Sequence, residues 1–162
     1  KDYCSAIIDT SHFQRLRRIE QTSIRSVFPC ARHDRFIHSL GVFHIGSKII
    51  DHLRQSNDLP NNYELIFESY RFACLLHDVG HSPFSHTFEK YFDNQYSGLK
   101  GILCNLVKEE LFKREWKSQA DPSAAHERMS AIVALGIYNE FIVSKGASPE
   151  LVARMIIGLK YE

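Results

Sequence analysis

A histidine-rich corner between two apolar segments constrains the fold of this sequence more than any other feature. The apolar residues before it recur at helical spacing, which predicts a buried helix carrying His77 and Asp78 near its C-terminal end. Gly80 is well suited to end this helix, and Pro83 cannot continue it. A second helix is predicted beyond Pro83, so the histidines lie around a tight corner. The apolar positions are Phe72, Leu75, Leu76 and Val79 before the corner, and Phe84, Phe88 and Tyr91 or Phe92 after it.

The corner combines residue types that bind transition metals. His77, Asp78, His81 and His86 lie within ten positions. Adjacent residues on a helix point about 100° apart, so His77 and Asp78 share an ion only if a neighbouring helix completes the shell. Imidazole with carboxylate suits Zn, Fe, Mn or Ni better than Ca. A single His-Asp pair is more often part of a hydrogen-bonded core, and the two additional histidines favour a metal site.

Two other segments supply candidate site residues. Arg35 and His38 lie one turn apart on the same side of a predicted helix. His38 is a candidate third metal ligand. The planar guanidinium group of Arg35 is suited to bind the oxygens of a phosphate beside the metal. His126, followed by Glu127, could act as a proton donor with its own orienting carboxylate. Considered alone, His38 could also be a histidine in a helix cap or in the core. His126 and Glu127, considered alone, could equally lie on a solvent-exposed helix face.

The rest of the chain is predicted to be helical, because no segment shows the sustained alternation of a strand. Gly41 and Gly46 lie inside the helix over 35–55, which predicts close approach of another helix. The length of 162 residues suits one domain, and the predicted architecture is an all-α orthogonal bundle of six to eight helices. Helices are predicted over 3–9, from a cap at Thr10 or Ser11 to Ile19, over 35–55, from the 56–62 loop to the corner, around 102–111, from Asp121-Pro122 to 143, and from Ser148-Pro149 to 159. Lys145-Gly146 is predicted to end the helix before Ser148. The predicted core positions are Phe13, Leu16 and Ile19 in the second of these helices, and Phe36, Leu40, Phe43, Ile50 and Leu53 in the third.

Composition excludes several classes of protein. There is no apolar run of membrane length and no signal peptide. Four cysteines without CxxC spacing predict reduced thiols and a cytoplasmic location. Residues 1–50 carry eight Lys and Arg against four Asp and Glu, which favours a local anionic ligand over a nucleic-acid footprint across the whole protein. A solvated basic helix face is the alternative.

The order of these segments resembles that of the HD-domain phosphohydrolases. The segments are Arg35-Phe-x-His38, His77-Asp78, Gly80-His-x-Pro-Phe-Ser-His86 and His126-Glu127. The resemblance is strongest to the deoxynucleoside triphosphate triphosphohydrolases, which include dGTPase-like enzymes and the dNTPase that couples a SAM domain to an HD domain. Further matching segments are Ile8-Asp9-Thr10, Phe13-Gln-Arg-Leu-Arg17, Gln21, Phe28-Pro29 and His38-Ser-Leu-Gly41.

The resemblance implies a role for each matching residue. The ion implied is one divalent transition metal, with Mg accompanying the nucleotide. The implied partners are a dNTP substrate, a GTP or dGTP effector and further copies of the chain in a homo-oligomer. The implied metal ligands are His38, His77 and Asp78, and the implied catalytic residues are His81 and His86 at the α-phosphate and His126 as general acid supported by Glu127. Arg35 is implied to contact the substrate phosphate, and Gln21 to contact the deoxyribose 3′-OH. The residues implied to bind the effector are Asp9, Gln14 and Arg17.

The sequence also departs from the family pattern. The HD signature ends with a second, distant Asp as fourth metal ligand, and this sequence has no Asp after Asp121. We therefore expect residues 1–162 to be a single HD domain that forms the N-terminal part of a longer protein. Glu89 stands where close relatives often have Asp, and Arg25 and Ser26 replace Gly- and Tyr-rich residues in a loop near the nucleotide.

The resemblance implies hydrolysis of a dNTP to a deoxynucleoside and triphosphate. Two alternatives stay open at this point. One is a nucleoside monophosphatase or another phosphoesterase on the same scaffold. The other is a nucleotide-binding or nucleic-acid-binding module with a defective metal site, which the missing fourth ligand and the basic first third favour.

Overall fold

In the computed structural model, the described part of the chain consists of helices joined by turns and irregular segments, with one isolated bridge. It comprises residues 3–22, 30, 33–56, 58–83, 98–118 and 123–161. The predicted all-α class is confirmed. The elements are α1 (Tyr3–Ile8), α2 (Ser11–Gln14), a 3-10 turn (Arg15–Arg18), α3 (Arg35–Leu53), α4 (Tyr63–Leu76), α5 (Leu99–Leu106), α6 (Glu110–Ser118), α7 (Ala125–Ser144) and α8 (Pro149–Ile157).

The core lies where α4 packs against α3, α7 and α8. The predicted stripe of the first segments, Phe13, Leu16 and Ile19, is buried against it. None of the described helices is long and apolar enough to cross a bilayer. The largest fully buried side chains are Trp116, Phe13, Phe72, Phe112, Ile7, Leu16, Ile50, Leu75, Leu76, Leu103, Ile142 and Ile157.

Several helix ends follow local side-chain chemistry. The Thr10 hydroxyl accepts the N–H of Phe13 and caps α2, as predicted. Ser148 caps α8 in the same way, with Pro149 in the first turn. Gly146 has φ 76°, a left-handed conformation that only glycine adopts at low cost, and it ends α7 where the sequence predicted.

The corner differs in detail from the prediction, because α4 ends at Leu76 and His77 and Asp78 lie in the turn that follows. Gly80 is not left-handed. A Cβ at Gly80 would lie 2.5 Å from backbone atoms of Met129 and Ser130. Glycine is therefore needed here for the close approach of α7, and not to reverse the chain. The predicted helix from Phe84 lies outside the described residues.

The two glycines of α3 have different surroundings. A Cβ at Gly46 would lie 2.6 Å from Cys74 Sγ on α4, so the predicted close approach is confirmed. At Gly41 no atom lies within 4 Å, and the prediction is wrong. Leu53 was predicted to be in the core, but it is 43% exposed at the last residue of α3.

The second half of the chain also departs from the prediction. The single helix predicted around 102–111 is two helices, because the backbone of Val107 is extended between α5 and α6, where its side chain is buried in the core. The start predicted at Asp121-Pro122 falls on residues outside the described part, and α7 begins later, at Ala125. There the Glu127 carboxylate accepts the N–H of Ala124 at 2.7 Å and takes the place of a capping side chain before the helix.

Candidate metal centre

The N-terminal half of α3 and the turn after α4 bring three metal-ligating side chains together. Nε2 of His38 lies 3.2 Å from Nε2 of His77. The Oδ2 atom of Asp78 lies 3.8 Å from His38 Nε2 and 3.6 Å from His77 Nε2. In the described part of the chain, these three residues form a group whose ligand atoms all lie within 4.8 Å of one another.

The spacing of the three atoms fits one shared ion. Nitrogen and oxygen ligands about 2.0–2.2 Å from a tetrahedral metal lie roughly 3.3–3.6 Å from each other. The three observed separations are near this range. Two imidazoles and one carboxylate, with a further position open, are the donor set of a catalytic transition-metal centre.

Hydrogen bonds outside this group orient its members. His77 Nδ1 lies 3.0 Å from the Cys74 carbonyl oxygen, which can only accept a hydrogen bond, so Nδ1 carries a proton and Nε2 is the nitrogen that faces His38. Arg35 Nη1 donates to Asp78 Oδ2 at 2.8 Å, and both side chains are buried. Cys74 was not among the predicted site residues, although its position three residues before His77 is the helical spacing that brings the carbonyl and ring together.

The charges of the group favour the protonation states that bind metal. Burial alone raises the pKa of Asp78, but His77 and Arg35 offset it, and the pKa of this carboxyl lies below its usual value. Burial lowers the pKa of His38 and outweighs the opposing effect of the Asp78 carboxylate, with smaller lowering contributions from His77 and Arg35. Near neutral pH, Asp78 is therefore ionised and His38 is a neutral imidazole.

His81 and His126 form a second pair beside this group. Their rings stack with centroids 4.4 Å apart, and together with Asp78 they are a further set of ligand atoms within 4.8 Å. Burial and, to a smaller extent, the charge of Arg35 together lower the pKa of His81 to about 4. The ring of His81 is therefore neutral at pH 7 and available as a hydrogen-bond acceptor or ligand.

The remaining predicted residues of the site are Gln21, Glu127 and His86. Residues 19–21 pair with 33–35 through the bridge between Glu20 and Asp34, which brings Gln21 alongside the start of α3. The Glu127 carboxylate caps α7, and its role in supporting His126 stays a prediction. His86 lies outside the described residues.

The three residues predicted to bind an effector are on the first segments of the fold. Arg17 Nε donates to Gln14 Oε1 at 2.8 Å, and the Arg17 guanidinium lies 3.6 Å from the centroid of the Phe36 ring. Asp9 is exposed between α1 and α2. Phe36 follows Arg35, so Arg17 packs against α3, the helix that carries His38.

The helical fold, together with two histidines and an aspartate whose ligand atoms lie within reach of one ion, is typical of metal-binding helical domains. The chain belongs to the HD domain family, which its sequence matches over residues 35–137, more than half of its length.

Individual relatives include proteins with a described activity. The chain is 46% identical over 100 residues to a protein of Dictyostelium discoideum described as a deoxynucleoside triphosphate triphosphohydrolase SAMHD1 homolog, covering 61% of this chain and 19% of that protein. It is 42% identical over 87 residues to the Bos taurus deoxynucleoside triphosphate triphosphohydrolase SAMHD1, covering 53% of this chain and 15% of that protein. This chain thus spans about a fifth of the length of these relatives or less.

A solved structure supports the same fold over the whole chain. A hypothetical protein from Aquifex aeolicus superposes with a TM-score of 0.60 at 28% sequence identity, covering 100% of this chain and 35% of that one.

Proposed function

We propose that the chain forms the HD region of a metal-dependent phosphohydrolase that converts dNTPs to deoxynucleosides and triphosphate. The observation that carries the proposal is the group of His38, His77 and Asp78, whose ligand atoms lie 3.2–3.8 Å apart with the partly exposed histidines on one side. The relatives named as dNTP triphosphohydrolases support the choice of substrate.

His38, His77 and Asp78 would hold one divalent transition metal, Fe, Mn, Zn or Ni. When bound, such an ion supplies hydroxide at neutral pH and polarises a phosphoryl oxygen. His77 and Arg35 favour the ionised form of Asp78, and the bond from His77 to the Cys74 carbonyl orients the ring so that Nε2 faces the ion.

The remaining residues of the site act on substrate. Arg35, besides binding Asp78, is proposed to compensate the charge of the α-phosphate, together with His81 and His86. His126 is proposed to donate a proton to the leaving oxygen. Gln21, next to the start of α3, is proposed to read the deoxyribose 3′-OH.

Product analysis tests this proposal. Incubation of the protein with Mn²⁺, Fe²⁺ or Zn²⁺ and each dNTP is expected to release deoxynucleoside and tripolyphosphate. A His77→Ala variant should lose the activity, whereas His44→Ala, on the exposed face of α3, should keep it. Release of orthophosphate alone would instead indicate another phosphoesterase. Binding of dGTP or oligonucleotide without turnover would indicate a binding module.

We also propose that Asp9, Gln14 and Arg17 bind a GTP or dGTP effector in a homo-oligomer. The hydrogen bond between Gln14 and Arg17 supports a shared polar site. Activity that rises with added GTP, and an Arg17→Ala variant that loses this response but keeps basal turnover, would support it. Activity independent of both nucleotides would contradict it.

A further inference from the structure

Ser130 joins the turn that carries the candidate metal ligands to the helix that carries His126. The Gly80 N–H donates to Ser130 Oγ at 3.0 Å. Ser130 is fully buried on α7. Because Gly80 has no side chain, the backbone of α7 lies directly against the turn at Met129 and Ser130.

The same two segments also meet at the histidine pair. His81 follows Gly80, and its N–H donates to the Asp78 carbonyl at 2.9 Å, so its backbone is fixed to the turn. His126 lies one helical turn before Ser130 on α7, on the same face of the helix. The stacking of His81 on His126 therefore depends on how α7 is placed along the turn.

We infer that Ser130 is a positioning residue, whose bond to Gly80 holds α7 in the register that stacks His126 on His81 and aims it at the metal group. Close packing alone would hold α7 at the right distance. A directed hydrogen bond also resists sliding of α7 along the turn. Misplacement of a reacting group by about 1 Å can lower a rate by about a hundredfold.

Ser69 provides a matched control. It is also a fully buried serine, and its hydroxyl accepts the N–H of Ser148 at 2.9 Å, which joins α4 to the start of α8. Ser69→Ala therefore removes the acceptor of a backbone N–H, as Ser130→Ala does, and also the bond that Ser69 Oγ donates to the Leu65 carbonyl. Both losses lie at α4 and its junction with α8, and not at the histidine pair. Each alanine variant is expected to lower the urea midpoint by a similar amount, so stability alone does not distinguish them.

The distinguishing measurement is the NMR spectrum of the imidazole carbons in the ¹³C-histidine-labelled, metal-free chain. In Ser130→Ala the His81 and His126 signals should shift, because ring stacking determines their positions, and in Ser69→Ala they should match wild type. Unchanged signals in Ser130→Ala, or equal shifts in both variants, would overturn the inference.

The catalytic consequence of this inference rests on the proposed function. Ser130→Ala should lower kcat about tenfold or more with KM little changed, whereas Ser69→Ala should leave both near wild type. If wild type hydrolyses no nucleotide, the proposed function fails, while the NMR comparison still decides whether Ser130 positions His126. A normal kcat in Ser130→Ala would overturn the inference in an active enzyme.

Discussion

Arg35 on α3 and Asp78 in the turn after α4 form a buried ion pair, with Nη1 and Oδ2 2.8 Å apart and each side chain no more than 4% exposed. The pair connects the two segments that supply the candidate metal ligands. Removing one partner leaves an uncompensated buried charge, which is much more costly than losing an exposed pair.

We expect Arg35→Met to lower the free energy of unfolding of the metal-free chain by about 3–5 kcal/mol, since Asp78 is left without its cation. The double variant Arg35→Met/Asp78→Asn should recover much of this loss. The control is Arg54→Ala, which breaks a surface pair with Glu64 and should cost under about 1 kcal/mol. Urea unfolding provides the measurement, and equal costs for the two single variants would contradict the prediction.

Metal binding should depend on His38 and His77. We expect Zn²⁺ or Co²⁺ to raise the thermal midpoint of the chain, because an ion that binds only the folded state stabilises it. His38→Ala and His77→Ala should each weaken binding at least about tenfold, as loss of a ligand exceeds the usual effect of losing its supporting hydrogen bond. Titration calorimetry measures the affinity, with His44→Ala as control. Wild-type affinity in His77→Ala would place the ion elsewhere.

Alanine at the two glycines of α3 should have opposite effects. At Gly41 a methyl group meets nothing within 4 Å, so Gly41→Ala should stabilise the chain by about 0.5–1 kcal/mol through helix propensity. At Gly46 the same group would lie 2.6 Å from Cys74 Sγ, so Gly46→Ala should destabilise it by about 1–3 kcal/mol. Denaturant unfolding measures both, and effects of the same sign would refute the packing of α3 on α4.

Stability should fall in mild acid because of His81. Its pKa of about 4 lies below the ordinary value of 6.5. As the pH falls, the His81 ring is therefore protonated in the unfolded chain before it is protonated in the folded chain. The stability that the chain gains by burying the neutral His81 ring is fully present above about pH 6.5 and is lost progressively as the pH falls to about 4. Urea midpoints of the metal-free chain between pH 7.5 and 4 should therefore drop less in His81→Gln than in wild type or His44→Gln. Parallel curves for wild type and His81→Gln would show that His81 is not buried as described.

The sequence predicted the elements whose cause is local. Helical spacing identified α3, α4 and α8, while Thr10, Gly146 and Ser148 marked helix ends through capping and backbone conformation. These features depend on residues within about one turn of each other, so they can be read without knowing the neighbouring helices.

The errors arose where distant contacts decide the structure. Gly80 resembles a helix terminator, but its surroundings on α7 are fifty residues away in the sequence. Val107 continues an apolar helical pattern, yet its backbone is extended and its side chain is buried in the common core. The start of α7 is determined by Glu127 from inside the helix, which a search for a preceding cap does not detect.

Helical spacing also indicated which residues of the candidate site share a helix, such as Arg35 and His38. It did not indicate the ion pair of Arg35 with Asp78 or the bond between Gly80 and Ser130, because both join segments more than forty residues apart. The roles proposed for His81, His86 and His126 stay predictions.

The three candidate ligands differ in their contact with solvent. The His38 and His77 side chains are 33% and 27% exposed, whereas Asp78 is 2% exposed. Within the part of the chain that the structure describes, the two imidazoles therefore face solvent and the carboxylate lies beneath them. An ion or a small anion arriving from solution reaches both imidazoles without displacing any of the described helices, so loading and exchange at this centre should be governed by diffusion and ligand affinity.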